Sequence, residues 1–339
     1  MHLNESNNLT NVSQRFGESS AVIEVIDDYV VPSVVIFGII TNTLTFVILL
    51  RPPFKKCSSS IYINAYCLSA CCALVMGPGK NWVLHIGDYK SLKTLTDATC
   101  KVLTFLENHS NAMPLWFLAG ATIDRFIAWW YSRRAEVMCT VFIAKIGVTF
   151  TVVGVTAVAV HLMWTFSLFD DGSCSFEFQR NEMYLGFWTI YLLLFLFPIL
   201  IIFILLLLIL FYICIKGQTR RIVNASGCDA DFISVVFITS LFVLIIQSPL
   251  YLIYVVEQFY PYRHILLPVY SVLSYISLLG YLPSFFIIFI LSSEFRDGIK
   301  VLVIGIWNWI FCIKRQNTNI ELKHMNGEYN SVPSTSTCV

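Results

Sequence analysis

Four ionisable side chains stand out as able to do chemistry in this sequence: Glu107, Asp124, Arg125 and Asp229. Asp124 and Arg125 are adjacent and opposite in sign, so they can form an ion pair that a conformational change makes or breaks. Asp229, 20 residues before Pro249, is a second acid able to take the arginine; the plainer reading is a solvated acid favoured by a helix N-terminus. Glu107 follows Cys100 by seven residues, two helical turns, and Asn111 lies one turn further on. Gln247, Tyr251, Tyr254 and Glu257 bracket Pro249, and Tyr270 and Tyr275 follow. An acid among aromatic rings suits a cationic ligand, through ion pairing and cation–π contact. The plainer alternative for Glu107 is an internal partner for His109 or His161. None of this is covalent chemistry. The sequence has no HExxH, no phosphate-binding glycine loop and no GxSxG, and no cysteine pair has ligand spacing with a histidine. An enzyme, a cofactor and a metal site are therefore not expected.

The elements that must position these residues follow from composition. Of the 339 residues, 57% are hydrophobic and 13% charged, where a soluble domain carries about 25% charged. The net charge of +1 gives no reason to expect nucleic acid. Stretches free of Asp, Glu, Lys and Arg run over 29–50, 57–79, 146–169, 183–215, 232–256 and 264–293, each long enough for a helix to cross a bilayer. A seventh, 108–123, is bracketed by Glu107 and Asp124; its apolar flanks extend it to about 98–130. The expected fold is an all-α membrane protein, a seven-transmembrane helix bundle over 29–293 after a tail of 1–28. Residues 294–313 contain a short apolar run, 301–313, with Trp307 and Trp309; a helix lying in the membrane interface fits it, before a tail of 314–339. Residues 1–20 are polar and do not read as a signal peptide.

Charge sorting sets the orientation. With the N-terminus outside, 15 of the 22 basic residues fall in inner segments, as the positive-inside rule requires. Sequons at Asn4, Asn8 and Asn11 crowd the same tail and read as glycosylation sites. The expected location is the plasma membrane, multi-pass, with an extracellular N-terminus. Cys100 and Cys174 then face outward, where a disulfide can form and tether the outer loop; two unrelated thiols are the alternative. The outer segments hold 12 acids besides Glu107 against seven bases, a mildly negative field that favours positive ligands.

The stretch from Trp116 through Asp124, Arg125, Phe126 and Ile127 to Ala128 resembles the Asp/Glu-Arg-Tyr motif of the rhodopsin-like G-protein-coupled receptors. Arg125 comes 25 residues after Cys100, the spacing that family keeps between its disulfide cysteine and motif arginine. Asn42, Pro198 and Pro249 sit where the family places a first-helix asparagine and two kinking prolines. The ending from Ser284 to Arg296 is similar to that of invertebrate FMRFamide-type and myosuppressin-type peptide receptors and of nematode serpentine chemoreceptors. Departures accompany the likeness: Ala70 stands where the family has a sodium-binding acid, Gln247 for a tryptophan, Leu206 for a tyrosine, and Ser284 and Ile288 for an asparagine and a tyrosine.

The resemblance implies a cell-surface receptor that binds an extracellular ligand, a cationic neuropeptide first of all, and signals through a heterotrimeric G protein. Its ligand-binding residues would be Glu107, Asn111, Gln247, Tyr251, Tyr254, Glu257 and Tyr270, and its switch Asp124, Arg125 and Asp229. Cys312 could be palmitoylated. Ser331, Ser334, Thr335, Ser336 and Thr337 could recruit arrestin once phosphorylated, and the Thr337-Cys338-Val339 end resembles a PDZ ligand. The alternatives are a chemosensory receptor for small molecules and, in a different class, a seven-helix ligand-gated channel with its N-terminus inside.

Overall fold

The computed structural model describes residues 25–52, 54–87, 92–170, 172–176, 189–216, 230–259, 263–305 and 307–308. Asn4, Asn8, Asn11, Asp229 and Cys312, and the side chains of Tyr254 and Glu257, lie outside the described residues. The chain divides into two units, Met1–Leu291 and Ser292–Val339.

The first unit is built from long helices. α1 covers Ile26–Leu49 and α2 Ser58–Ile86. α3 is Asp97–Trp130, followed by a two-turn helix at Ser132–Met138. α4 covers Val141–Thr165. α5 opens with a wide turn, Thr189–Leu196, and runs through Phe197–Lys216. α6 is Ala230–Phe259. α7 joins Arg263–Leu278 to Pro283–Leu291 through a tight turn at Leu279–Tyr281. The only strands among the described residues are β1, Phe166–Leu168, and β2, Cys174–Phe176, an antiparallel hairpin pairing Phe166 with Phe176 and Leu168 with Cys174.

Six of these helices, α1, α2, α4, α5, α6 and α7, are long and apolar enough to cross a membrane. With no water in hydrocarbon, a helix is how such a segment satisfies its own backbone. Large apolar side chains face outward around the unit, among them Phe142, Phe150, Ile245 and Ile290, each at least 60% exposed. A surface of that kind needs lipid to cover it. The chain is thus a mainly helical, multi-pass membrane protein. α3 has the length, 34 residues, but carries Asp97, Lys101, Glu107, Asp124 and Arg125. It is placed to tolerate them, because it packs against α2, α4, α5 and α6.

Glycines set the closest approaches. Tyr62 of α2 lies between Gly120 of α3 and Gly147 of α4, and a methyl group on Gly120 would meet its ring at 2.7 Å. α2 does not stop at Gly77-Pro78-Gly79. A proline within a helix removes a hydrogen bond and crowds the preceding turn; the backbone absorbs this in a π turn, Val75–Gly79, and continues as Lys80–Ile86. That extra length carries Lys80, Asn81, Trp82 and His85 onto the helix.

The second unit holds a helix over residues 293–305. The Ser292 hydroxyl accepts the Phe295 amide N–H, Lys300 pairs with Asp297, and Val301, Val303, Ile304 and Trp307 are exposed.

Candidate functional site

A cavity of about 670 Å³ opens near the first turns of α3. Its wall includes Glu107, Asn108 and Asn111 of α3, Trp82 and His85 of α2, Asp27 of α1, and Lys93 of the 92–94 turn. Phe195 of α5, Tyr251 of α6, and Tyr270 and Tyr275 of α7 supply aromatic surface. The Tyr251 ring stacks on Phe195 with centroids 4.8 Å apart. Glu107, Asn111, Tyr251 and Tyr270 therefore share one cavity. Gln247 does not line it. It is buried one turn along α6 from Tyr251, against Gly280, where an added methyl group would meet its amide nitrogen at 2.6 Å.

Glu107 is not an open acid. Its Oε2 accepts from Lys80 Nζ at 2.8 Å and pairs with Lys93 Nζ at 2.8 Å. His109 instead meets the Thr156 hydroxyl at 3.0 Å, and His161 the Val158 carbonyl. The acidic pocket expected from the sequence is thus charge-compensated, by two lysines that the charge-free reading of α2 left in a loop. Three more acids at this end of the bundle, Asp27, Asp28 and Asp97, are engaged as well. Asp28 pairs with His85 at 3.1 Å, and the Tyr275 hydroxyl donates to Asp27 at 2.8 Å. Asn111 accepts from the Tyr281 hydroxyl at 3.5 Å.

The hairpin is fastened beside this cavity. Cys100 and Cys174 form a disulfide linking the first turn of α3 to β2. Asp97 accepts the Leu168 amide N–H at 3.1 Å and pairs with Lys101 at 2.6 Å. The Lys101 bond, then that amide, holds the Asp97 carboxyl below the ordinary range. Thr96 closes a capping box with Thr99 at the start of the helix.

At the far end of α3 lies a second cluster. Counting 1.5 Å per residue, Asp124 is about 26 Å from Glu107 along the helix. Asp124 Oδ2 accepts from Ser58 Oγ at 2.9 Å and Ser59 Oγ at 2.6 Å, both on the first turn of α2. It also accepts from Arg125, at 3.0 Å through Nε and 2.5 Å through Nη2. The arginine Nη2 reaches Ser58 Oγ at 3.2 Å, and Cys139 Sγ donates to the Asp124 carbonyl. Asp124 and Arg125 are both buried. An adjacent acid and base in a helix interior otherwise point to different sides; here the two serines hold the carboxylate where the guanidinium can fold back onto it. Sequence reasoning missed Ser58 and Ser59. Their signal was a run of three serines, 58–60, at the start of an otherwise apolar helix.

Between the two clusters lies a polar network that includes Ser284, one of the positions that depart from the receptor pattern. Pro283 and the tight turn before it leave the Gly280 and Tyr281 carbonyls outside the regular helix ladder. Tyr66 donates to Gly280 at 2.7 Å, and Asn42 to Tyr281 at 2.8 Å. Ser284 donates to Asn42 Oδ1 at 3.4 Å, with Cys67 Sγ at 3.8 Å. Ala70 is fully buried among Val35, Leu74 and Tyr281, so an apolar cluster occupies the place of the acid.

No family model matches the chain, and no curated protein is significantly similar to it.

Proposed function

We propose that the chain is a rhodopsin-like G-protein-coupled receptor of the plasma membrane, with α3 as its seventh span and its N-terminus outside. One observation carries the reading. A single long helix, α3, bears a disulfide-tethered cavity at one end and a buried Asp–Arg pair at the other. That is the layout a transmembrane switch needs: ligand contacts on one face, a bistable polar cluster on the other, joined by a rigid element. The ligand, a neuropeptide by the resemblance, would occupy the outer cavity. A cationic group on it would meet Asp27, since Glu107 already serves two lysines. Movement of α6 would then release Arg125 from Asp124 and admit a heterotrimeric G protein. Residues 293–305 would lie in the interface with Val301, Ile304 and Trp307 in lipid, and the tail beyond would offer Cys312 and the serine–threonine cluster for modification.

The test is a ligand screen in cells carrying a promiscuous G protein, with peptides, amines and small organic acids. A response lost in Tyr251→Ala supports the receptor; response to none counts against it. The chemosensory reading differs only in the ligand class that responds. The channel reading differs in topology. Deglycosylation of the expressed protein should increase its gel mobility through Asn4, Asn8 or Asn11, and an N-terminus facing the cytosol would favour the channel.

A further inference from the structure

Lys80 and Lys93 converge on one oxygen, Oε2 of Glu107. Two ammonium groups share one carboxylate, so the cluster carries one positive charge in excess. The three side chains are only 14%, 27% and 24% exposed, and water screens that excess weakly at such depth. Neighbouring acids do not cancel it: Asp28 is paired with His85, Asp27 is bonded by Tyr275, and among the described residues neither approaches the lysines as an ion pair. Each ammonium has three N–H donors, and Glu107 occupies one on each. Lys93 lines the cavity itself, while Lys80 is not part of its wall. A second observation points the same way. Trp82 also lines this cavity, and its indole N–H is buried without a hydrogen-bond partner among the described residues. Buried donors are normally satisfied, and here the cavity is where an acceptor can come from.

We propose that the ligand presents an anionic group, a carboxylate or its charge equivalent, to Lys93, with an aromatic or apolar body against Tyr251, Tyr270 and Tyr275. The anion completes a cluster of two cations and two anions rather than displacing Glu107. This assignment rests on the reading of the cavity as the receptor's ligand site.

The experiment uses the full-length protein in lipid nanodiscs, heated with millimolar phenylpropionate or indoleacetate, each beside its amide and its amine counterpart. The acids should raise the unfolding midpoint, and by more than their amides or amines do. Lys93→Gln makes the cluster neutral and should weaken the acid about ten- to a hundred-fold, the loss of one charge-assisted hydrogen bond. Lys93→Arg keeps the charge and should retain binding, which separates the effect from misfolding. Glu107→Gln raises the excess charge and should tighten the acid. Acids that act no better than their amides, a Lys93→Gln protein that binds them unchanged, or a Glu107→Gln protein that binds them more weakly would each overturn the assignment. G-protein nucleotide exchange is measured separately. Exchange without acid binding rejects the anion site alone, and acid binding without exchange rejects the receptor reading alone.

Discussion

Removing Ser58 and Ser59 tests the Asp124–Arg125 cluster through its energetics. Asp124 Oδ2 takes two hydrogen bonds from these serines and two from Arg125, all in a buried setting. A hydrogen bond to a charged acceptor contributes about 1.5–3 kcal/mol, so Ser58→Ala with Ser59→Ala should destabilise by about 3–6 kcal/mol. Asp124→Ala leaves the Arg125 guanidinium without this counter-ion, a change of about 3–5 kcal/mol for a broken buried pair. The two losses fall on the same oxygen and cannot add. Once the carboxylate is gone the serines keep only the Arg125 Nη2 bond to Ser58 Oγ, so the triple variant should lose much less relative to Asp124→Ala than the serine pair loses in the parent. The coupling from the cycle should exceed about 1 kcal/mol, well above what independent sites show. The assay is thermal unfolding of the purified protein in nanodiscs, read by a thiol-reactive dye, since Cys67 and Cys139 are buried and react on unfolding. Additive losses, or a serine double variant as stable as the parent, would refute the cluster as described.

Three further outcomes follow from the disulfides and from Asp97. Replacing Cys100 and Cys174 by serine opens a loop of 74 residues' separation, for which chain entropy sets an upper bound of about 4.5 kcal/mol; the unfolding midpoint should fall, and ligand potency with it, because the hairpin is no longer tied beside the cavity. Asp97 has its pKa lowered by folding, so the stability it lends is present above the ordinary aspartate range and lost as pH falls through its lowered value; the Leu168 amide should lose hydrogen-exchange protection there and keep it at neutral pH. Cys57 is disulfide-bonded and precedes the serines at the Asp124 end of the bundle, opposite Cys100–Cys174. The proposed orientation expects a membrane-impermeant reductant followed by an impermeant alkylating agent to label Cys100 in intact cells and to leave Cys57 unlabelled; the reverse pattern would invert the topology.

Six spans were legible because lipid imposes a length and a composition that leave long charge-free runs, and α3 was legible as a helix despite its charges because apolar flanks extend it on both sides. The extent of α2 was not. Gly77-Pro78-Gly79 reads as a stop, and only the packed bundle shows that the backbone widens into a π turn and carries Lys80 onward to Glu107. That pair lies 27 residues apart in sequence, and nothing local announces it. Lys93 meets the same oxygen only because the 92–94 turn settles over α3. Glu107, Asn111, Tyr251 and Tyr270, grouped by helical spacing along one face, do line one cavity, while Gln247 packs away from it, where the absence of a side chain on Gly280 leaves room for its amide. Ser284 shows a third case: it looked like a missing hydrogen-bonding group, yet its hydroxyl still reaches Asn42.

The most direct measurement is nucleotide exchange by representative Gα subunits on the full-length protein in nanodiscs, comparing the parent with Asp124→Asn and Arg125→Ala. Freed from its carboxylate partner, Arg125 should become available at the inner face, so Asp124→Asn should accelerate exchange on at least one Gα class over the parent. Arg125→Ala should abolish that acceleration. No Gα class responding to the parent or to a folded Asp124→Asn protein would contradict the receptor reading.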